Sequence, residues 1–403
     1  MSRFELLCGS EQIKNIPWRP FDEKVCVFLD DWSVLLRKDV EAKKYPDVLT
    51  FAFWIRKANI QKKKNEFLQN DDKVLLGRGL AFHVAPSNVP VNCMYTYVFG
   101  LLAGNANIVR VPSKSFPQVE VLVRVLCDVF QMETHREIWE RTMIVRYERE
   151  SNATVQFSKL CDVRVIWGGD ETICNIRRAY LPPRSKEITF SDRYSFGVIS
   201  EEAIEQASEK ELISLAERFY NDTYLMDQNA CSAPHLIFWW RDCVSEEEGA
   251  FLEIQKRFWN TVARVAEKYD FADIKCSEKY ADLCEHVATV SEIVGVEKYS
   301  DNLLCVCDVS ELPKDVITVL RGKYGLFYQY RISNEVLIPE LNNVKVQTCA
   351  YYGMNAKRIC DWILENHLGG IDRIVPFGKT LDIDLVWDGY DLIREMSRRI
   401  EFE

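Results

Sequence analysis

Short apolar runs alternate with amphipathic segments of helical spacing between about residues 72 and 200. The segment 115–130, for example, places Val119, Leu122 and Leu126 on one face of a helix. This alternation is typical of strand–helix–strand units, which build a mostly parallel sheet. We therefore predict an α/β fold, with strands at residues 80–85, 108–111, 143–147, 163–167 and 196–199.

A second series of the same kind begins near residue 200. It combines an amphipathic helix over residues 251–265 with candidate strands at 236–240, 303–306 and 371–375. The chain has 403 residues, which exceeds the usual size of one hydrophobic core. We expect two α/β domains with a ligand-binding cleft between them.

Charge and cysteine usage narrow the class of function. The net charge is -10, so the surface repels phosphate backbones and we expect no nucleic-acid partner. The apolar stretch 95–103 is far shorter than the roughly 20 residues that span a bilayer, and no membrane span is expected. Fourteen irregularly spaced cysteines, without a signal peptide or zinc-ligand spacing, predict reduced thiols, a cytoplasmic location and no metal site.

Cys231 is the strongest candidate for a reactive residue. It follows the polar turn 227–229 and precedes the apolar run 236–240, which is typical of a buried strand. A thiol held at such a turn is well placed to act as a nucleophile. Since free cysteines are among the most buried residues, a purely structural role is the alternative.

Three loops are candidates for binding a ligand, because each follows a predicted strand. The first contains Asn88, the second contains Arg110, and the third contains the pair Gly168 and Gly169. Glycines at a helix entry allow a phosphate to approach the backbone closely. Each loop alone is a weak indication, since a paired-glycine turn is more often a tight loop and Asn88 before Val-Pro is typical of a turn.

The order of these residues carries more information. With Asn88, Arg110, Gly168-Gly169, Glu187 and Cys231 in this sequence, the chain resembles the aldehyde dehydrogenase superfamily, and more closely its long-chain acyl-CoA reductase (LuxC-like) branch, the reductase component of the bacterial bioluminescence fatty acid reductase complex. The resemblance covers about residues 72–240 and resumes at 370–378 and 384–392.

The resemblance implies an aldehyde dehydrogenase-like α/β fold of two Rossmann-like parallel-sheet domains, with the active site in the cleft between them. Residues 1–187 with part of 376–403 would form the cofactor-binding domain, and residues 188–375 the catalytic domain. The segment 376–403 is a candidate oligomer contact, and we expect a homo-oligomer.

The resemblance also implies a reaction, the reduction of a fatty acyl thioester to an aldehyde by a reduced nicotinamide. Cys231 would attack the thioester carbonyl as a thiolate and form an acyl-enzyme. The side-chain amide of Asn88 and the backbone N–H of Cys231 would hold the oxyanion, and one such donor is worth roughly 3 to 4 kcal/mol of barrier.

The cofactor-binding residues follow from the same resemblance. Arg110 takes the place of a lysine that contacts the adenosine ribose, although one extra residue precedes Pro112. Lys114 stands where NAD-preferring relatives have an acidic residue, and a cation there suits a 2′-phosphate, so we expect NADPH. The full set expected at the cofactor is Ala85, Pro86, Ser87, Arg110, Pro112, Ser113, Lys114, Gly168, Gly169 and Thr172.

Three further polar residues have alternative interpretations. Glu187 aligns with the glutamate that activates water in hydrolytic relatives, and we expect it to shuttle a proton or deprotonate Cys231, with a structural salt bridge as the alternative. Gln228 either shapes the nucleophile turn or is a surface residue. A Cys231–His235 dyad is disfavoured, because nothing else in the sequence supports a hydrolase triad.

Three functions remain open on sequence alone. The first is an NADPH-dependent acyl-CoA reductase. The second is the same chemistry on acyl groups delivered by a partner acyl-protein synthetase or acyl carrier protein, since the luminescence-type family works in a complex. The third is a catalytically silent, cofactor-binding scaffold, against which the presence of Asn88, Gly168-Gly169 and Cys231 argues.

Overall fold

The computed structural model describes residues 4–69, 74–86, 88–241, 248–332 and 341–402. The chain divides into two compact units, Met1–Ser191 with Leu385–Glu403 and Asp192–Asp384. The sequence predicted divisions after residues 187 and 375. The described part contains no helix long and apolar enough to cross a membrane.

The first unit is built on a six-stranded sheet with the order β1-β5-β4-β3-β6-β7. Strands β3 to β7 run parallel, and only β1 pairs antiparallel, at the edge beside β5. Strand β2 lies outside this sheet. The bounds are β1 Glu5–Gly9, β2 Val74–Gly77, β3 Leu80–Val84, β4 Ala106–Arg110, β5 Thr142–Arg146, β6 Val163–Trp167 and β7 Lys186–Phe190.

In the described residues before Ser191, eight α-helices accompany these strands. Helix α4 is buried along nearly its whole length, as its apolar sequence requires. Helix α5 has an apolar stripe that includes Val119, Leu122 and Leu126, as predicted. The bounds are α1 Glu23–Lys38, α2 Pro46–Trp54, α3 Lys57–Gln69, α4 Asn92–Leu102, α5 Pro117–Val129, α6 Arg136–Trp139, α7 Ala153–Leu160 and α8 Asp170–Arg177.

The central strand β3 carries one polar side chain into the interior. His83 is fully buried, with Nδ1 2.7 Å from Thr96 Oγ1 and Nε2 3.0 Å from Asn107 Oδ1. Because the amide of Asn107 donates to the Asn105 carbonyl, its Oδ1 accepts from Nε2–H, and Nδ1 accepts from the Thr96 hydroxyl. Burial lowers the pKa of His83 to about 4, so the ring is neutral.

The second unit contains a seven-stranded sheet with the order β10-β11-β12-β9-β8-β13-β14. All of its neighbouring strands are parallel except the edge pair β10 and β11. The bounds are β8 Tyr194–Ser200, β9 Pro234–Trp240, β10 Ile293–Tyr299, β11 Leu304–Val309, β12 Leu326–Ile332, β13 Val346–Tyr352 and β14 Arg373–Pro376.

Helices of the second unit pack on both faces of this sheet, and two separate cores result. Every residue of β9 is buried, because parallel sheets are covered on both sides. Two buried indoles, Trp239 and Trp259, donate to the side-chain carbonyl of Gln329. The bounds are α9 Glu201–Gln206, α10 Glu209–Thr223, α11 Glu248–Ala266, α12 Asp273–Thr289, α13 Val316–Val319 and α14 Ala356–Glu365.

The last residues of the chain return to the first unit. Strand β17 pairs antiparallel with β2, and Asn105 Nδ2 donates to the Met396 carbonyl at 2.9 Å. The C-terminal segment is therefore part of the first unit rather than a free tail. The elements of this segment are β15 Val386–Trp387, β16 Tyr390–Asp391, α15 Leu392–Glu395 and β17 Ser397–Ile400.

The predicted α/β class is confirmed, and all eight predicted strands are present within a few residues of their expected bounds. Other elements were not predicted from the sequence. Strand β1, helices α1 to α3, and the strands β12 and β13 of the second sheet lie in regions where no apolar run was assigned.

Candidate active site

Cys231 lies in the short turn that leads into β9, at the amino end of this strand. The turn is closed by the Ala233 N–H, which donates to the Ala230 carbonyl at 2.9 Å. The thiol-bearing residue is half-buried, whereas Ser232, directly after it, is buried. Cys231 is therefore held at a turn and anchored by a buried strand, as the sequence indicated.

Gln228 shapes this turn, which decides between its two sequence interpretations. Its side chain is 2% exposed, and its backbone adopts a left-handed conformation with φ 64°. Its Oε1 accepts from the Gly325 N–H at 3.0 Å, and its Nε2 donates to the Leu326 carbonyl at 3.0 Å. The amide of Gln228 thus joins the turn before Cys231 to the start of β12.

The preceding residue, Asp227, is held in the same way. It also has a left-handed backbone, with φ 54°, and ends a short 3₁₀ turn. Its carboxylate accepts from the Tyr269 hydroxyl and from Lys275 Nζ at 2.8 Å. Two successive left-handed residues are strained for non-glycine side chains, and these bonds stabilise the turn against relaxation.

The backbone of Cys231 has a partner in β8. Ser195 Oγ donates to the Cys231 carbonyl at 2.7 Å and accepts from the Thr348 N–H at 3.2 Å. Ser195 is fully buried. Cys231 is therefore connected to two neighbouring strands, β8 and β13, through one hydroxyl.

His235 has a structural environment. Its Nδ1 lies 3.0 Å from the Gly322 carbonyl oxygen, and its ring stacks on Tyr194. Burial and the nearby Arg321 lower the pKa of His235 to about 3. An imidazole with so low a pKa is a weak base, and its Nδ1 lies against the backbone, so His235 is poorly suited to act as a general base, in line with the disfavoured dyad.

In the first unit, most of the candidate cofactor residues follow the carboxyl ends of parallel strands. Ala85 and Pro86 follow β3 and are buried, and the Ala85 N–H donates to the Arg110 carbonyl at 3.1 Å. Ser87 lies outside the described residues. Asn88 begins the next turn and is exposed. Asn88 and Glu187 belong to the first unit, whereas Cys231 belongs to the second.

Arg110, the last residue of β4, is largely covered by Tyr147. Its guanidinium lies over the Tyr147 ring at 4.9 Å, and its Nη2 donates to the Tyr147 carbonyl at 3.3 Å. Its Nε is buried and has no hydrogen-bond partner among the described residues. Burial lowers the pKa of this guanidinium, so an additional acceptor would stabilise it.

The loop that follows Arg110 becomes progressively more exposed. Pro112 is buried and its carbonyl accepts from Arg146 Nε at 3.3 Å, Ser113 is half-buried, and Lys114 is exposed. Lys114 Nζ lies 5.4 Å from the centre of the Phe116 ring. This lysine is therefore a surface cation directly ahead of α5.

The paired glycines lie between β6 and α8. A side chain at Gly168 would press on Thr172 at 3.1 Å, whereas one at Gly169 would meet open space. The first turn of α8 carries two exposed acidic residues, Asp170 and Glu171. They stabilise the helix start, and they also place negative charge where a phosphate was expected.

Glu187 lies on β7 and is bound by two arginines. Arg164 Nε donates to its Oε2 at 2.8 Å, and Arg177 Nε donates to its Oε1 at 2.6 Å. The Arg164 side chain is only 3% exposed. Both carboxylate oxygens are therefore engaged in ion pairs within the first unit.

Over the described ranges, no group of three or more His, Cys, Asp or Glu residues could hold a metal ion.

Comparisons with known proteins agree on the family and the fold. The family model described as acyl-CoA reductase (LuxC) matches residues 61–290, more than half of the chain. A long-chain acyl-protein thioester reductase of Vibrio harveyi is 20% identical over 338 residues, which is 81% of this chain and 64% of that protein. The chain thus spans just under two thirds of this relative's length.

Solved structures of low sequence identity share the architecture. A 1-pyrroline-5-carboxylate dehydrogenase of Thermus thermophilus superposes with a TM-score of 0.61 at 14% identity, covering 95% of this chain and 82% of the other. An aldehyde dehydrogenase of Physcomitrella patens gives a TM-score of 0.64 at 11% identity, with 94% and 85% covered. This chain therefore has the aldehyde dehydrogenase fold and belongs to the acyl-CoA reductase (LuxC) family.

Proposed function

We propose that this protein is an oxidoreductase that converts a long-chain fatty acyl thioester to an aldehyde, with Cys231 as the nucleophile. The observation that carries the proposal is the bracing of the Cys231 turn. Gln228, Asp227 and Ser195 each bind this turn to a different part of the second unit. Several contacts that hold the turn of one half-buried thiol in place are expected of a catalytic group rather than of a structural cysteine.

The first chemical step uses a side chain of the protein itself, the thiol of Cys231. The Cys231 thiolate attacks the thioester carbonyl, and the departing thiol leaves an acyl-enzyme thioester. One thioester replaces another, so the step depends on positioning more than on driving force. We assign the oxyanion to the Cys231 backbone N–H and the Asn88 side-chain amide, as the family resemblance implies.

A nicotinamide cofactor fits the carboxyl-end loops of the first unit in two respects. The Nε–H of Arg110, which has no hydrogen-bond partner among the described residues, can donate to an additional acceptor, and open space beside Gly169 leaves the backbone of this glycine accessible. When bound, a reduced nicotinamide supplies the hydride. Lys114 favours NADPH over NADH because its cation suits a 2′-phosphate, whereas Asp170 and Glu171 argue against a phosphate directly at the start of α8.

The ion pairs of Glu187 support the structural alternative for this residue. The carboxylate of Glu187 is held in position by Arg164 and Arg177, and each of its two oxygens already takes part in an ion pair. A reductase also gains nothing from an efficient hydrolytic base, because water attack on the acyl-enzyme would release free acid. We therefore propose that Glu187 holds β6, β7 and α8 together.

Two acyl donors remain candidates for the same site. Acyl-CoA is the donor that the family description names, and acyl-protein is the donor named for the Vibrio harveyi relative. An acyl-protein synthetase or an acyl carrier protein would be the partner in the second case. Both donors present an activated acyl group as a thioester, and attack by Cys231 on either donor would give the same acyl-enzyme.

The test is a steady-state assay of the full chain with a series of acyl-CoA chain lengths and with an acylated carrier protein. We expect loss of absorbance of the reduced nicotinamide and formation of the aldehyde. Cys231→Ala should abolish both, whereas Cys360→Ala, which removes an exposed thiol, should not. If no donor supports turnover, the catalytically silent scaffold becomes the better account.

A further inference from the structure

A second pair of thiols lies outside the candidate site, in the first unit. Cys8 belongs to the edge strand β1, and Cys127 belongs to the last turn of α5. Although 119 positions separate them in the sequence, their sulfur atoms lie 2.7 Å apart. Both cysteines are free thiols in this structure.

This separation is close to that of a covalent bond. A disulfide has an S–S length of about 2.05 Å, so the sulfur atoms need to approach by only about 0.7 Å. Among the described residues, no other two cysteines form a sulfur–sulfur hydrogen bond.

A small reagent can reach one of the two sulfurs. The pair lines a cavity of about 240 Å³, together with Phe130, Gln131 and Trp139. Cys127 is half-buried, whereas Cys8 is 5% exposed. Attack on an external partner therefore starts at Cys127, and Cys8 is placed behind it.

The electrostatics of the pair agree with this order. A hydrogen bond with Cys8 holds the pKa of the Cys127 thiol below its usual value. The same bond, together with burial, raises the pKa of Cys8. The thiolate is the reactive form, so Cys127 is the better nucleophile of the two.

We propose that Cys8 and Cys127 form a reversible dithiol–disulfide site that reacts with low-molecular-weight disulfides such as oxidised glutathione. The Cys127 thiolate attacks one sulfur of glutathione disulfide and releases one glutathione thiolate. Cys8, after losing its proton, attacks the mixed disulfide at Cys127 Sγ and releases the second glutathione. Two protein thiols lose two electrons and two protons, and glutathione disulfide becomes two molecules of glutathione.

A disulfide between Cys8 and Cys127 would join β1, at the edge of the sheet, to α5. Strand β1 is the only antiparallel strand described in its sheet, and it is held by β5 alone on one side. A covalent link to α5 would close a long chain segment and restrict the unfolded state. We therefore expect the oxidised form to unfold at a temperature at least ~5 °C higher.

The experiment uses the full-length protein, reduced and then equilibrated with defined ratios of oxidised to reduced glutathione. Remaining thiols are alkylated, and the protein is digested without reduction and mapped by mass spectrometry. We expect a linked peptide pair containing Cys8 and Cys127, which excess reduced glutathione reverses. Thermal unfolding of the same samples should show the rise in Tm.

Three variants sharpen the test. Cys8→Ala should retain glutathione at Cys127 as a mixed disulfide, and Cys127→Ala should leave Cys8 unmodified. Cys174→Ala, which removes an exposed thiol of the same unit, should leave the link unchanged. Alkylation of both Cys8 and Cys127 at every glutathione ratio, or links formed chiefly by exposed cysteines such as Cys284 and Cys360, would overturn the proposal.

Discussion

The hydroxyl of Ser195 donates a 2.7 Å hydrogen bond to the backbone carbonyl of Cys231. The same hydroxyl accepts from the Thr348 N–H, so one buried side chain connects Cys231 to the two strands β8 and β13. Since the Cys231 N–H is the proposed oxyanion donor, the orientation of this residue's backbone bears directly on the reaction.

Ser195→Ala should therefore lower kcat by about tenfold, which corresponds to about 1.4 kcal/mol of lost transition-state stabilisation. The matched control is Ser185→Ala, because Ser185 Oγ donates a 2.7 Å bond to the carbonyl of a different cysteine, Cys161, in the first unit. Steady-state kinetics of both variants decide the matter. Equal losses of kcat in the two would show that the Ser195 bond has no special part in the reaction.

Lys114 should govern the choice between the two nicotinamide cofactors. Replacing it by alanine removes a charge-assisted contact to a 2′-phosphate, so kcat/KM for NADPH should fall about 10- to 100-fold while the value for NADH stays within about twofold. Lys159→Ala, at another exposed lysine of the same unit, is the control. A parallel fall with both cofactors, or no change with either, would remove Lys114 from the cofactor site.

Glu187→Gln should destabilise the protein while sparing the chemistry. Removing the carboxylate leaves the buried Arg164 guanidinium without its charged partner, a loss of about 3 kcal/mol in the free energy of unfolding. Urea unfolding and kcat of the folded enzyme are the two measurements. An unchanged unfolding midpoint together with a kcat reduced about 100-fold, with an altered pH profile, would restore the proton-transfer role.

His83 should make the first unit sensitive to acid. Its pKa is about 4 in the folded state and 6.5 ordinarily, so the folded state binds fewer protons than the unfolded state between these values. The contribution of the neutral ring is complete above pH 6.5 and is lost as the pH falls towards 4, by about 3 kcal/mol in all.

The measurement compares urea unfolding of the wild-type protein and His83→Gln at pH 7 and pH 4.5. We expect the wild type to lose more stability than the variant on acidification, whereas His367→Asn, at an exposed imidazole, should behave as the wild type. Identical pH dependence in the wild type and His83→Gln would contradict the assignment of a buried neutral ring.

The sequence was most informative where a local pattern and the tertiary structure agree. The run 236–240 and the run 163–167 are buried strands, because parallel strands between helices need apolar residues on both faces. Strand β12 was missed, since its polar Gln329 and Arg331 interrupt the apolar pattern. Gln329 accepts from two buried indoles, and Arg331 pairs with the buried Glu201, and neither partner is visible in a local window.

In the candidate site, too, features with a local sequence signal were predicted, whereas contacts made through strand pairing were not. Cys231 was evident from its neighbours, because a polar turn before an apolar run is a local signal. Ser195 was missed, since it meets the Cys231 carbonyl only through the pairing of β8 with β9. A structural salt bridge was the alternative interpretation of Glu187, but its partners were not named, because Arg164 lies 23 positions earlier and is brought close only by the pairing of β6 with β7.

The most direct test of the central claim is whether an acyl group becomes attached to Cys231. The full-length protein is mixed with a long-chain acyl-CoA in the absence of a nicotinamide, quenched in acid, and analysed by intact-protein and peptide mass spectrometry. We predict one acyl group per chain, located on the Cys231 peptide, released by hydroxylamine and absent in Cys231→Ala. Acylation spread over several cysteines, or an unmodified Cys231 with every acyl donor, would contradict the account.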